Sequence, residues 1–264
     1  MRIALAVVAV LAGLPAGARA ATGTMDWQRK VVTCTGAGAA NLRDAAGNVA
    51  VARIGAEKAA KLDALRSCME TLKGVQLQTG QTVGGALESN ATLSGKVEGV
   101  VRGFRVVGKP RYFSDGGVEM DVEVPLEGAL SDALLPRPDP KPPAAAGPPA
   151  GTSLVVDARG LAFVPALAPR ILVEGGAELY GPATLADAGR RGGAAAYARD
   201  LESAKASLAE RLGTDPLVVK AVRAQGADLF VSQADAAGLA GRNLAFLSEG
   251  RVIILGGQDP EKRP

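Results

Sequence analysis

The sequence predicts an α+β protein made of two small two-layer α/β-sandwich domains joined by a proline-rich linker, the first with the order β-α-β-β. Residues 49–75 space their apolar side chains by threes, fours and eights, which is typical of an amphipathic helix. Residues 118–124 (VEMDVEV) alternate strictly between apolar and acidic, as a half-buried strand does. Seven prolines fall between Pro136 and Pro149, and proline favours an extended, semi-rigid spacer.

The first twenty residues are typical of a secretion signal. They contain Arg2, an apolar run at residues 3–14 and an A-x-A cleavage site ending at Ala20. We therefore expect an exported bacterial protein, in the periplasm or associated with the outer membrane. The apolar run is shorter than the roughly 20 residues that cross a bilayer, and no later segment comes closer. The predicted division is a signal peptide at 1–20, a first domain at 21–135, a linker at 136–151, a second domain at 152–258 and a tail at 259–264.

In the first half, residues 27–34 predict a strand that runs into a loop at 36–48. The helix at 49–75 follows, and a polar stretch at 76–94 separates it from two strands at 97–107 and 118–124. These strands predict an antiparallel hairpin packed on the helix, with Ser114–Gly117 as the turn. Cys68 is expected on the same helix face as the apolar side chains that would form the core, which are Ile54, Leu62, Leu65, Met69 and Leu72.

The second half predicts another α+β arrangement. Its elements are a strand at 153–157, a strand pair at 170–180 turned at Gly175-Gly176, a helix at 197–212, a hairpin of 217–224 with 228–232, a helix at 234–247 and a last strand at 251–255.

Composition excludes several classes of chemistry. The chain has no histidine, which removes Ser-His-Asp and Cys-His nucleophile systems and histidine-ligated zinc. Removal of residues 1–20 leaves 28 of the 30 basic side chains against 27 acidic ones. The short basic clusters at 190–191 and 262–263 are too small for a nucleic-acid footprint. We expect no enzyme activity, no cofactor, no metal and no nucleic-acid partner.

Two cysteines, Cys34 and Cys68, are present. In an exported protein a disulfide between them is expected, because the compartment is oxidising. The alternative is two small buried thiols, since geometry decides whether a bridge closes.

Three patterns suggest sites, and each has a structural interpretation. Gly36-x-Gly38 lacks the third glycine of a dinucleotide fingerprint and predicts a loop. The glycines at 176 and 181 lack the lysine of a phosphate loop and predict a turn and strand. Glu119, Asp121 and Glu123 share one strand face, which could serve glycosidase chemistry or calcium but is more often a solvated face. Asp228 and Asp235 are expected at a turn and a helix start.

Positive charge is concentrated before the turn at Asp115, on Arg102, Arg105, Lys109 and Arg111. These side chains are a candidate interaction face for an anionic polymer or an acidic partner. Cross-strand pairing with the acidic residues of 118–124 explains the same charges and is the favoured interpretation.

Three segments carry a family resemblance: VVTCTGAGAANL from Val31, VAVARIGAEKAAKLDALRSCMETLKGVQL from Val49, and VEGVVRGFRVVGKPRYFSDGGVEMDVEVPLEG from Val97. Over roughly residues 27–130 the chain resembles the twenty-kilodalton bacterial outer-membrane lipoproteins and the N-terminal domain of flagellar assembly protein T. The resemblance implies an envelope or flagellar accessory component without catalytic residues. The sequence differs from that family in lacking the lipobox cysteine. The second half looks like the domain that accompanies this module in some exported proteins.

The sequence therefore predicts an exported, non-enzymatic cell-envelope structural or interaction protein, with envelope or flagellar proteins as partners. An exposed strand edge such as 118–124 could pair with a partner sheet. The alternative is a periplasmic polysaccharide- or ligand-binding protein, or a carboxylate-based hydrolase, which would need a cleft between halves that the proline-rich linker lets move independently.

Overall fold

The computed structural model describes residues 23–256 except for residues 44, 146 and 149. The predicted signal peptide and the predicted tail at 259–264 lie outside the described residues. Within them the chain is α+β and divides into two halves, which confirms the predicted fold class.

The first half is built on an antiparallel sheet with the strand order β1-β2-β6-β5. A long helix, α1, covers one face of this sheet, and three shorter helices pack beside it. The elements are β1 (Gly23–Asp26), β2 (Val31–Ala39), α1 (Val49–Gly74), β3 (Gln76–Gln78), β4 (Gln81–Thr82), α2 (Val83–Glu88), α3 (Ala91–Val101), β5 (Arg105–Tyr112), β6 (Gly117–Pro125) and α4 (Ala129–Leu134).

Helix α1 packs on the sheet through alanines. It begins at the N-cap Asn48, whose side chain accepts hydrogen bonds from the amides of Ala50 and Val51. A Cβ placed on Gly36 of β2 would lie 2.1 Å from the amide nitrogen of Ala64, and one on Gly38 would lie 2.1 Å from the carbonyl oxygen of Ala56. The helix backbone therefore rests directly on the strand, and small side chains line the buried face: Ala52, Ala56, Ala60, Ala64, Ser67 and Cys68.

This close approach corrects the predicted core face of the helix. The helix itself is confirmed, but Ile54 is 54 % exposed and Leu62 is 67 % exposed. Leu72 is buried, and Leu65 and Met69 pack partly buried against the core, as predicted. The prediction fails in the earlier part of the helix, where the sheet glycines select alanines. The buried position predicted for Cys68 is confirmed.

Three other boundaries in the first half differ from the prediction. Residues 97–101 belong to helix α3, because Asn90 caps that helix and Val97 and Val101 are buried one turn apart. The predicted loop at 36–48 begins later, since β2 continues to Ala39 along β6. Residues 27–30 form a turn in which the carboxylate of Asp26 accepts hydrogen bonds from the next amides.

The second half contains a seven-stranded sheet with the order β10-β13-β7-β11-β12-β8-β9. Its first four strands run parallel, and β11 turns into β12 as an antiparallel hairpin. The elements are β7 (Ser153–Asp157), β8 (Ile171–Val173), β9 (Glu178–Tyr180), a 3₁₀ turn (Pro182–Thr184), α5 (Asp187–Gly192), β10 (Ala196–Ala198), α6 (Leu201–Ser207), α7 (Ala209–Leu212), β11 (Pro216–Gln225), β12 (Asp228–Val231), α8 (Gln233–Leu239), a second 3₁₀ turn (Ala245–Glu249) and β13 (Val252–Leu255).

Both hairpins predicted here are confirmed, but both helices are shorter than predicted. Residues 196–198 form the buried strand β10, and α6 begins only after its N-cap Asp200. Helix α8 ends at Leu239 because Gly241 adopts a positive φ, and a 3₁₀ turn follows. A cluster of small and aliphatic side chains packs under α6 and α7, and a larger cluster fills the opposite face of the sheet.

The two halves are in contact, and the proline-rich segment lies along the second half. The amides of Leu167 and Ala168 donate to the carbonyls of Gln76 and Leu77 over 3.0 and 2.7 Å, so a loop of the second half extends the β3 strand. The amide of Lys141 in the linker donates to Ala183 over 2.8 Å. These contacts argue against the independent motion expected from the linker composition.

Candidate functional site

The basic residues singled out from the sequence lie on and before β5, an edge strand. Nearly all side chains of β5 are exposed, and within the described residues β5 pairs with β6 alone. Arg105, Lys109 and Arg111 belong to the strand, and Arg102 is the C-cap of α3. We name Arg102, Arg105 and Lys109 together with Val106 and Val107 the basic edge.

Cross-strand pairing accounts for one of these cations. Arg111 donates from Nε to Glu119 over 3.2 Å and from Nη2 to Asp121 over 3.0 Å. The Arg111 guanidinium lowers the pKa of Asp121, and the hydroxyl of Thr35 lowers it further. The hydrogen bonds that Arg111 donates to the same carboxylates raise its own pKa. Arg111 therefore stabilises the sheet face.

The other three cations are not paired with any described residue. Arg105 stands opposite Glu123 in the register, but the Glu123 carboxylate lies 3.0 Å from Arg29 instead. Arg102 and Lys109 are exposed, and neither makes an ion pair or a side-chain hydrogen bond within residues 23–256 outside the gaps at 44, 146 and 149. The basic edge thus retains positive charge that the sheet itself does not use.

The acidic residues of β6 lie on the solvent face, as their alternation predicts. Val118, Met120, Val122 and Val124 are buried, and the three carboxylates point away from α1. Each carboxylate has an arginine within ion-pair distance. The described part of the chain contains no group of three or more acidic or cysteine side chains placed to hold a metal ion.

The prediction that residues 118–124 form an exposed strand edge is wrong. Strand β6 lies between β2 and β5 and pairs with both, so its backbone is not available to a partner. The two edges of the sheet are β1 and β5, and the sequence does not distinguish β5 from β6 because both strands carry charge.

The other residues singled out from the sequence lie in strands, turns and a helix start. Gly36 and Gly38 lie within β2 under α1, not in a loop. Gly176 belongs to the β8–β9 turn, and Asp235 lies in the first turn of α8. Asp228 is buried at the start of β12, where it accepts a hydrogen bond from Nε of Arg170 over 3.0 Å.

Cys34 and Cys68 form a disulfide that joins β2 to α1. Their Cα atoms are 5.6 Å apart, and both side chains are buried. The bridge fixes the helix on the sheet one turn beyond the Gly36 contact.

Buried cations hold the two halves together, and the sequence analysis did not single them out. Nζ of Lys30 donates to Glu127 over 2.8 Å and to the carbonyl of Gly192 over 3.0 Å. The pKa of Lys30 is lowered to about 8, first by burial and then by the nearby Arg211, while Glu127 opposes the shift. Arg211 itself donates to the carbonyl of Gly250 over 2.7 Å. No local pattern marks these residues, because their partners come from distant parts of the chain.

A groove with a cavity volume of about 640 Å³ lies between α1, α2 and α3. Its apolar lining is aliphatic and includes Leu62, Leu65, Met69, Leu87 and Val101. Its rim carries both signs of charge, from Arg66 and Arg102 and from Glu88 and Glu98. Leu62, the exposed leucine of α1, thus lines this groove.

A family model described as Treponema pallidum Tp0624, second domain, matches residues 153–258. The match begins at β7 and covers the second half of the chain. A search of curated proteins gives no match. In the part of the chain that the structure describes, no helix is both long and apolar enough to cross a membrane.

Proposed function

We propose that this protein is an exported, non-enzymatic component of the bacterial cell envelope that acts by binding other proteins, as an accessory of outer-membrane or flagellar assembly. The observation that carries the proposal is the basic edge, where Arg102, Arg105 and Lys109 have no partner among the described residues. Like charges close together repel one another, and an acidic partner would relieve that repulsion. The signal-like N-terminus and the family resemblance over residues 27–130 support the envelope location.

The state of the polar groups supports a binding role over a hydrolytic one. The three carboxylates of β6 are engaged by Arg29 and Arg111, and Asp228 is engaged by Arg170. A carboxylate hydrolase needs one acid with a raised pKa beside a second that stays ionised. Asp121 has a lowered pKa instead, because Arg111 holds its charged form.

The test is a crosslinking pull-down of residues 21–264 from envelope extracts, with partners identified by mass spectrometry. The wild type is compared with Arg102→Ser/Arg105→Ser/Lys109→Ser and with a control of equal charge change, Lys58→Ser/Lys96→Ser/Arg242→Ser, whose side chains are also exposed. We expect outer-membrane or flagellar proteins with the wild type and the control, and loss of them with the basic-edge variant. Equal recovery by all three proteins, or recovery of glycan fragments alone, would overturn the proposal.

The groove between α1, α2 and α3 favours a second function, binding of a small aliphatic ligand. Its volume falls within the usual range of ligand sites, roughly 300–1,000 Å³. Its lining contains no aromatic ring on which a sugar could stack, so an aliphatic chain fits better than a polysaccharide. Native mass spectrometry of protein purified from envelope extracts would reveal such a ligand, and Met69→Glu should abolish it while Lys58→Glu should not.

A further inference from the structure

The open side of β5 presents an unpaired strand edge. Strand β5 pairs with β6 at Arg105–Val107 and again at Arg111–Tyr112, and among the described residues no strand lies on its other side. Val106 is 42 % exposed although its register partner Val122 is fully buried. The backbone groups of this edge and a partly exposed apolar side chain are therefore available together.

A bulge limits how much of the edge can pair. The register shifts between Val107 and Arg111, where Gly108 adopts a positive φ and Pro110 lacks an amide hydrogen. Such devices protect edges from uncontrolled pairing. They occupy the middle of β5 and leave residues 105–107 regular, with Lys109 beside them.

The positive charges of Arg105 and Lys109 determine which kind of strand can pair with β5. A second copy of this chain would bring Arg105 and Lys109 near the same residues of its partner, and like charges across strands are destabilising. An acidic segment would instead meet Arg105 from the side opposite Glu123, whose carboxylate is held by Arg29. Successive side chains of an added strand point to opposite faces, so acids would lie beside Arg105 and apolar side chains beside Val106.

We propose that β5 accepts an extended acidic segment of a partner protein as a fifth strand of the first sheet, with alternating acidic and apolar side chains. The proposal rests on the proposed function and specifies the chemistry of the partner. Main-chain hydrogen bonds to residues 105–107 supply affinity, and the three unpaired cations supply selectivity for the acidic sequence. The bulge restricts the contact to one short stretch.

The experiment measures fluorescence anisotropy of a labelled peptide, acetyl-EVEVEVE-amide, with the mature chain of residues 21–264. A second peptide has the same sequence with every backbone nitrogen methylated, which keeps its charge and removes the amide donors from both strand edges. The protein variants are Arg105→Glu/Lys109→Glu and the control Lys58→Glu/Lys96→Glu. We expect at least tenfold weaker binding after methylation and with the basic-edge variant, and a change under twofold with the control.

Three results would overturn the inference: no binding of the unmodified peptide up to about 1 mM, equal binding of the methylated peptide, or equal loss with the control variant. A dimer in sedimentation that Arg105→Glu/Lys109→Glu disrupts would also overturn it, since a second copy would then occupy the edge. If the pull-down recovers envelope partners through the basic edge but the peptide fails, the proposed function stands and this inference falls. If the peptide binds but the pull-down recovers no partner, this inference stands and the proposed function falls.

Discussion

Removal of the disulfide should destabilise the first half by about 4 kcal/mol. Cys34 and Cys68 are 34 residues apart, and closing a loop of that length in the unfolded chain removes on the order of 12 cal/mol/K of entropy. That entropy corresponds to about 4 kcal/mol at 25 °C. The double variant Cys34→Ala/Cys68→Ala loses this constraint while keeping small apolar side chains at two buried positions.

The assay is urea unfolding of residues 21–264 followed by far-ultraviolet circular dichroism. Ser67→Ala, a change at the buried neighbour of Cys68, is the control and should alter the free energy of unfolding by about 1 kcal/mol or less. Reductant should destabilise the wild type and leave the double variant unchanged. A loss under about 1 kcal/mol, or two reactive thiols in unfolded but unreduced protein, would refute the reasoning.

Two further changes test the packing and the contact between the halves. Gly36→Ala places a Cβ against the backbone of α1 and should lower the free energy of unfolding by about 3 kcal/mol or more. In the control Gly99→Ala on α3, the added Cβ meets nothing within 4 Å, so this change should stabilise the protein slightly. Equal effects of the two changes in thermal melts would contradict the helix-on-strand contact. The pKa of Lys30 is about 8 in the folded protein, below its ordinary value of about 10.5. Between these two pH values the unfolded chain binds more protons than the folded protein. The free energy of unfolding should therefore rise with pH in this range, by at most about 3 kcal/mol. Lys30→Gln should abolish this rise, and an unchanged pH dependence of urea unfolding would show that Lys30 is not buried against Arg211.

Local patterns predicted the long helix and the strands at 118–124, 153–157 and 251–255, but they missed β1 and β10 and gave only part of the buried face of the helix. Strict alternation in 118–124 and the turn glycines at 175–176 fix strand geometry within a few residues, so these elements are confirmed. The helix face depends on β2, because Gly36 and Gly38 let the backbone of α1 approach and leave room for alanine alone. A glycine on one element and an alanine on another are coupled through space, which periodicity along one element does not reveal.

The candidate surface was only partly predictable for the same reason. Its residues were found from charge density, since four cations fall within ten positions. Their roles depend on sheet order, which places Arg111 beside two acids and leaves Arg105 without one because Arg29 reaches Glu123 from the β1–β2 turn. The edge at β5 likewise follows from the pairing of β6 with β2, a contact between strands about ninety residues apart in the chain.

The contact between the halves bears on the resemblance expected from the sequence over residues 27–130. If residues 27–130 were such a module, they would be expected to fold without the second half. In the structure, however, Lys30 donates to a carbonyl of the second half, Trp27 packs edge-on against Tyr197 with ring centroids 5.3 Å apart, and the β3 strand is extended by residues 167–168. An isolated first half would expose this apolar and hydrogen-bonding surface to water and lose those partners. The second half therefore stabilises the sheet that carries the basic edge, and binding experiments need both halves of the chain.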